Sequence, residues 1–221
     1  MRTFLLSLLF FFFYATAYAQ FSDGTPAESP ENFILAIIDV ETTGLEPGRH
    51  ELVDLGAVYV ELDGREIARF FVRIHPDHPE RAGEVARSIN GYDEARWAAL
   101  NAVSKDEAAE AFLKFHVETV GDRTAIFTAY NAYFDRAFID TFLKERGHEG
   151  FRALFSYFLL DLPSLAWGVG IRDQSNTEVA RALGLEPETE DPLKHTGMSG
   201  ALWNLDVYRA LTRHSPVSAE K

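Results

Sequence analysis

Apolar residues run unbroken from Phe33 to Ile38 and then give way to Asp39-Val40-Glu41-Thr42-Thr43-Gly44-Leu45. The run predicts a buried strand over 32–41. Further strand-like runs follow over 51–62 and 65–75, and Asp63-Gly64 between them is a two-residue hairpin signal. A polar, helix-prone region covers 80–102. Helical spacing of Ala108, Ala111, Phe112 and Phe115 predicts a helix over 105–120, ended by Gly121. A fourth strand is predicted over 124–130, a helix over 131–146 stopped by Gly147, and a short fifth strand over 158–162. Asn176 is placed as the cap of a helix ending at Gly184, and a last helix as running over 199–213. Antiparallel strands followed by β-α-β-α predict an α/β fold, a mixed five-stranded sheet flanked by helices on both faces.

The first residues follow a different pattern. Met1-Arg2 precedes an apolar stretch over 4–14, then Ala17-Tyr18-Ala19 before Gln20. A short positive start, an apolar stretch of about ten residues and a small-x-small site match a secretory signal peptide. The stretch is short for a bilayer span of about 20 residues. The chain therefore divides into a leader (1–19), a Ser/Pro/Gly/acid-rich linker (20–31), one folded domain (32–214) and a tail (215–221). The leader predicts a secreted or periplasmic protein. An uncleaved leader would instead anchor it to the membrane, and a misassigned start codon would leave it cytoplasmic.

The 221 residues carry a formal net charge of −13, which argues against a broad electrostatic grip on a nucleic-acid backbone but leaves room for local binding through metal ions and a few Lys or Arg. There is no cysteine, which excludes disulfides, zinc–thiolate sites and thiol catalysis.

Chemistry enters at the end of the first strand. Side chains alternate along a strand, so Asp39 and Glu41 share a face. Two like charges at the end of a buried strand are costly unless a cation sits between them, and hard oxygen donors suit Mg²⁺ or Mn²⁺. Asp135, in Asn131-Ala132-Tyr133-Phe134-Asp135, falls in the first turn of a helix, where an acid is also an ordinary capping group. Asn131 reads equally as a turn or cap residue. His195, ahead of the last helix, is alone no more than a common surface or structural histidine. Trp97, Trp167 and Trp203 read as core.

In order and spacing these pieces resemble the DEDDh 3′→5′ exonucleases of the ribonuclease H-like superfamily, the group of oligoribonuclease, ribonuclease T and polymerase proofreading subunits. Asp39-x-Glu41-Thr42-Thr43-Gly44-Leu45 matches the first motif, Asn131-Ala132-x-Phe134-Asp135 the second, and His195 with Ala201 the third. The resemblance implies two divalent cations on the scissile phosphate at a 3′ end of single-stranded DNA or RNA. It gives Asp39 both ions, Glu41 the first and Asp135 the second, with His195 as general base at an unperturbed pKa of about 6.5. It also implies that Thr42, Thr43, Leu45 and Asn131 meet the terminal nucleotide, although Thr42-Thr43-Gly44 also makes a plausible tight turn and Leu45 a plausible core residue. Some members are dimers, so a homodimer is among the partners the resemblance allows.

One position departs. Five residues after its histidine the family carries a fourth metal-binding Asp, and here that position is Gly200. Asp206 lies off the same helix face. Ser199, Asp191 and Glu190 are nearer in sequence, with no geometric case for any of them. Either the chain is a retired exonuclease that still binds strand ends, or a neighbouring acid or a water fills the gap, or Gly200 is an introduced change.

Overall fold

The structure, a computed structural model, describes residues 24–213. The leader, the first residues of the predicted linker and the whole of the predicted tail lie outside the described residues. Among the described residues, no helix is long and apolar enough to cross a membrane.

Ten residues, Phe33–Thr42, form β1, and nearly all of them are buried because the strand lies at the centre of the sheet with helices on both sides. β2 (Leu52–Val60) and β3 (Glu66–Arg73) continue antiparallel to one side, joined through the turn at Asp63-Gly64. β4 (Thr124–Ala129) and β5 (Leu160–Asp161) lie parallel on the other side, giving the order β3-β2-β1-β4-β5. The predicted mixed five-stranded α/β architecture is the one observed.

Alternation along β1 separates two cores. Ile34, Ala36, Ile38 and Val40 face α3 (Lys105–Val120) and α4 (Ala132–Glu145), packing with Ala108, Phe112, Phe138 and Phe142. Phe33, Leu35 and Ile37 face α5 (Leu162–Gly168), α6 (Asn176–Leu183) and α7 (Gly197–Arg213), packing with Leu162, Val179, Ala201 and Leu205. Asp39 and Glu41 continue this second face, so both point towards the start of α7. A capping box between Ser104 and Glu107 starts α3.

Several sequence expectations shift. The 80–102 region breaks into α1 (Glu84–Asn90) and α2 (Glu94–Ala99), because Gly91 adopts a left-handed conformation that ends the first helix. Ala109, not Ala111, joins the core from α3. The fifth strand shrinks to two residues: Asp161 caps α5 by accepting from Ser164 N, and Pro163 favours that first turn. Ser175, not Asn176, occupies the N-cap of α6. Trp97 and Trp203 are buried, but Trp167 is half exposed with Arg172 over its ring.

Candidate active site

The C-terminal end of β1 sets Asp39 and Glu41 side by side, and a register shift between Glu41 and Thr42 turns the chain away just beyond them. Asp135, in the first turn of α4, is buried and accepts a 3.0 Å hydrogen bond from Val40 N. The backbone between the two strand carboxylates is thus tied to the third. His195 lies ahead of α7. Its Nδ1 donates to Thr189 O at 2.7 Å, which leaves Nε2 facing the acids, 3.0 Å from Glu41 Oε1 and 3.8 Å from Glu188 Oε1.

Glycines permit this approach. A Cβ on Gly197 would lie 2.5 Å from Asp39 O and 2.7 Å from Gly56 N, so only glycine lets α7 begin against β1 and β2. Gly197 N donates to Asp54 Oδ1 at 2.8 Å, while Asp54 Oδ2 is buried without a hydrogen-bond partner.

The sequence reading missed Glu188. Its side chain comes from the α6–α7 connection and is mostly buried, 13% exposed. Asn176 Nδ2 donates to its Oε2 at 2.9 Å, which leaves Oε1 for the site. The connection is pinned on both sides of Glu188, because Trp203 Nε1 bonds Glu186 O and His195 bonds Thr189 O. A sequence signal exists in the acidic run Glu186-Pro187-Glu188-Thr189-Glu190-Asp191, but such a run reads as a solvated loop until its path is known. Glu190 is exposed, Asp191 binds the backbone of Leu193, Ser199 caps its own turn, and Asp206 pairs with Arg209.

Electrostatics single out this cluster. Burial, then the charge of Asp135, pushes the Asp39 carboxyl well above its usual range; burial does the same to Asp135 against the Val40 hydrogen bond. Glu188 is raised by burial, and Asp54 by burial and Glu41 to about 8. Among the described residues, His195 is the only basic side chain in ion-pair contact with Asp39, Glu41, Asp135 or Glu188. Its own pKa is pushed up to about 9, chiefly by the hydrogen bond it donates to Glu41. The histidine is therefore not the unperturbed one that the resemblance implied, because Glu41 beside it favours the charged ring.

Asp39, Glu41 and Asp135 open into a cavity of about 480 Å³ walled by Leu45, Val85, Ile89, Tyr130, Asn131 and Phe134. Leu45 is 80% exposed at its rim, so its core alternative is excluded. Asn131 sits at the N-cap position of α4 in a left-handed conformation but makes no capping bond; Asp161 takes Ala132 N instead. Thr42 lines the cavity with its hydroxyl donated to Gly44 O. Thr43 does not reach the cavity: it is wholly buried, and its Oγ1 accepts from Glu51 N at 2.9 Å, a turn-holding role.

Residues 36–208 match the sequence profile of the RNase T family, described as Exonuclease. The chain belongs to this exonuclease family. Its fold and motif set place it with the DEDD 3′→5′ exonucleases of the ribonuclease H-like superfamily. Over 125 residues, 54% of the chain, it is 36% identical to the PolC-type DNA polymerase III of Staphylococcus aureus (strain bovine RF122 / ET3-1), and it spans 8% of that polymerase. E. coli exonuclease I in complex with a dT13 oligonucleotide shares the fold at a TM-score of 0.67 and 13% identity, over 83% of this chain and 41% of that one. A zinc-bound E. coli exonuclease I–ssDNA complex aligns at 0.66 and 13% identity, over 84% and 41%.

Proposed function

We propose that the protein is a metal-dependent 3′→5′ exonuclease that releases nucleoside monophosphates from the 3′ end of single-stranded DNA, with Mg²⁺ or Mn²⁺ as the cation. One observation carries the reading: Asp39, Glu41 and Asp135 converge with His195 on a cavity with largely apolar walls, and Glu188 stands beside them, 3.8 Å from the His195 ring. DNA is favoured over RNA because the exonuclease I neighbours are complexes with DNA oligonucleotides and the sequence relative is a DNA polymerase.

The donor set fits a hard divalent cation. Every acid is an oxygen donor, and burial raises three of the four for want of a compensating charge. Among the described residues no three such groups form a ready-made metal cage. Mg²⁺ does not require one, since it keeps several waters and takes one or two carboxylates directly together with substrate phosphate. Bound cations would neutralise the acids and stabilise charge on the attacking and leaving oxygens. Asp39 and Asp135 would hold them from β1 and α4, and Glu41 from the strand end.

The chain's own groups do the rest. Thr189 O fixes the His195 ring so that Nε2 points at the acids. The His195 pKa would fall once the charge of Glu41 is offset by bound cations, so that Nε2 gives its proton to solvent and the neutral ring can then take one from the attacking water. Leu45 and Phe134 offer apolar surface to a terminal base, and Asn131 offers an amide not committed to capping.

A non-catalytic strand-end binder was motivated by the acid missing at position 200; the carboxylate of Glu188 in that space removes much of the motive. The test is incubation of the purified full-length protein with 3′-labelled and 5′-labelled single strands of DNA and RNA, with Mg²⁺ or Mn²⁺. Labelled mononucleotide should leave the 3′-labelled DNA first and cease with EDTA. No release from either polymer with either ion would overturn the reading, and faster release from RNA would overturn the choice of DNA.

A further inference from the structure

We propose that Glu188 supplies the fourth metal-binding carboxylate, delivered from the α6–α7 connection into the space where the family places an Asp on the last helix. The inference rests on the metal-dependent reading above and deepens it.

Gly200 is the starting point. A Cβ built there would overlap Asp39 Oδ2 and lie 2.9 Å from Glu188 Oε1. The two carboxylate oxygens therefore face the same small space, and that space is the one an aspartate at 200 would enter. Glycine is not an empty substitution at this position. It vacates room that Glu188 fills, so no side chain at 200 can coexist with both acids as they stand.

The reach of Glu188 is also right. Its Oε1 lies 3.8 Å from His195 Nε2, and Glu41 Oε1 lies 3.0 Å from the same nitrogen, so the two glutamates flank one point. Asn176 holds the remote oxygen of Glu188 and orients the other inward, as outer hydrogen bonds commonly orient metal-ligating carboxylates. Asn176 is thus a positioning residue, and its place at the first position of α6 gains a purpose that capping does not supply.

Manganese binding to the full-length protein, followed by titration calorimetry or by the electron paramagnetic resonance of free Mn²⁺, tests the assignment without activity. Glu188→Gln keeps the shape and the acceptor for Asn176, and should weaken Mn²⁺ binding about tenfold or more while melting no lower than wild type in EDTA. Glu188→Asp, which keeps the charge but shortens the reach, should fall between the two. Glu190→Gln, altering an exposed neighbour, should bind as wild type. Gly200→Asp alone should lower the melting temperature and fail to tighten Mn²⁺, because its Cβ meets both Asp39 and Glu188.

Wild-type Mn²⁺ affinity in both Glu188→Gln and Glu188→Asp would overturn the assignment, as would tighter binding in Gly200→Asp with Glu188 in place. The two readings separate cleanly. Mn²⁺ binding lost in Asp39→Asn yet untouched in Glu188→Gln would remove Glu188 and leave the exonuclease standing. Mn²⁺ bound through Glu188 without nucleotide release would do the reverse.

Discussion

Two clusters of charge lie near opposite ends of the β1–β2 loop: one pairs its single buried acid with a lysine ammonium, and the other sets four acids against one histidine. In the first, Lys105 is 3% exposed and touches Glu51 at 2.7 Å, Glu145 at 3.1 Å and Asp77 at 3.3 Å. Those acids satisfy the ammonium, which is held above its ordinary pKa by Glu51 and Glu145 despite burial. In the second, Asp39, Glu41, Asp135 and Glu188 have one basic side chain among them, His195, which reaches only Glu41 and Glu188. A buried charge survives only when paired. The first cluster is therefore complete and structural: Glu51 fixes Thr43 Oγ1 and His78 N and so holds the loop that carries Leu45. The second is incomplete on its own, and the deficit is one of positive charge.

The contrast is sharpest where one acid of the second cluster is made neutral. Asp39→Asn should lower kcat/KM by about a thousandfold or more, since several kcal/mol of transition-state stabilisation would go with it. In EDTA the same variant should melt at a higher temperature than wild type, because it removes a like charge whose carboxyl is already forced upward. A lower melting temperature would mean that Asp39 is structural after all. Lys105→Met should behave oppositely. It leaves Glu51 buried and unpaired, at a cost of about 3–5 kcal/mol in urea denaturation.

His116 extends the comparison to a buried basic group with no acid partner. Its Nδ1 accepts from Tyr59 Oη at 2.7 Å, and burial lowers its pKa to about 4. The unfolded chain takes up this proton near pH 6.5, while the folded chain resists until about pH 4. The neutral ring thus contributes stability above pH 6.5 that is lost as pH falls towards 4, by about 3 kcal/mol. His116→Gln should lose that part of the pH dependence, read as the difference between the two proteins' unfolding free energies across pH 4–7 in EDTA.

Much of this was legible in the sequence. Period-two alternation put Asp39 and Glu41 on one face of β1, and the unbroken apolar run before them fixed a strand buried on both sides. Asp135 and His195 followed from order and spacing. Glu188 did not, because it reaches the site through a connection whose path depends on Trp203, His195 and Asn176, all distant in sequence or committed elsewhere by simple pattern. The raised pKa of His195 was hidden for a related reason: a side chain's pKa belongs to its neighbours, and Glu41 became a neighbour only on folding. The direction of the Thr43 hydroxyl was hidden because a motif places a residue near a site without saying which way its side chain turns.

Leu45 offers the smallest effect and the finest separation of the two clusters. It is exposed at the cavity rim, so Leu45→Ala should change folding stability by less than about 0.5 kcal/mol. Its contact with a terminal base would be made equally in the ground and transition states, which raises KM and leaves kcat nearly unchanged. The lost apolar contact is worth about 1–2 kcal/mol, so KM should rise about tenfold on a single-stranded oligonucleotide. Mn²⁺ affinity should not move, since Leu45 carries no donor for the ion. If kcat fell with KM unchanged, Leu45 would be acting on the carboxylates rather than on the strand, and the loop held by Lys105 would belong to the chemistry instead of to substrate placement.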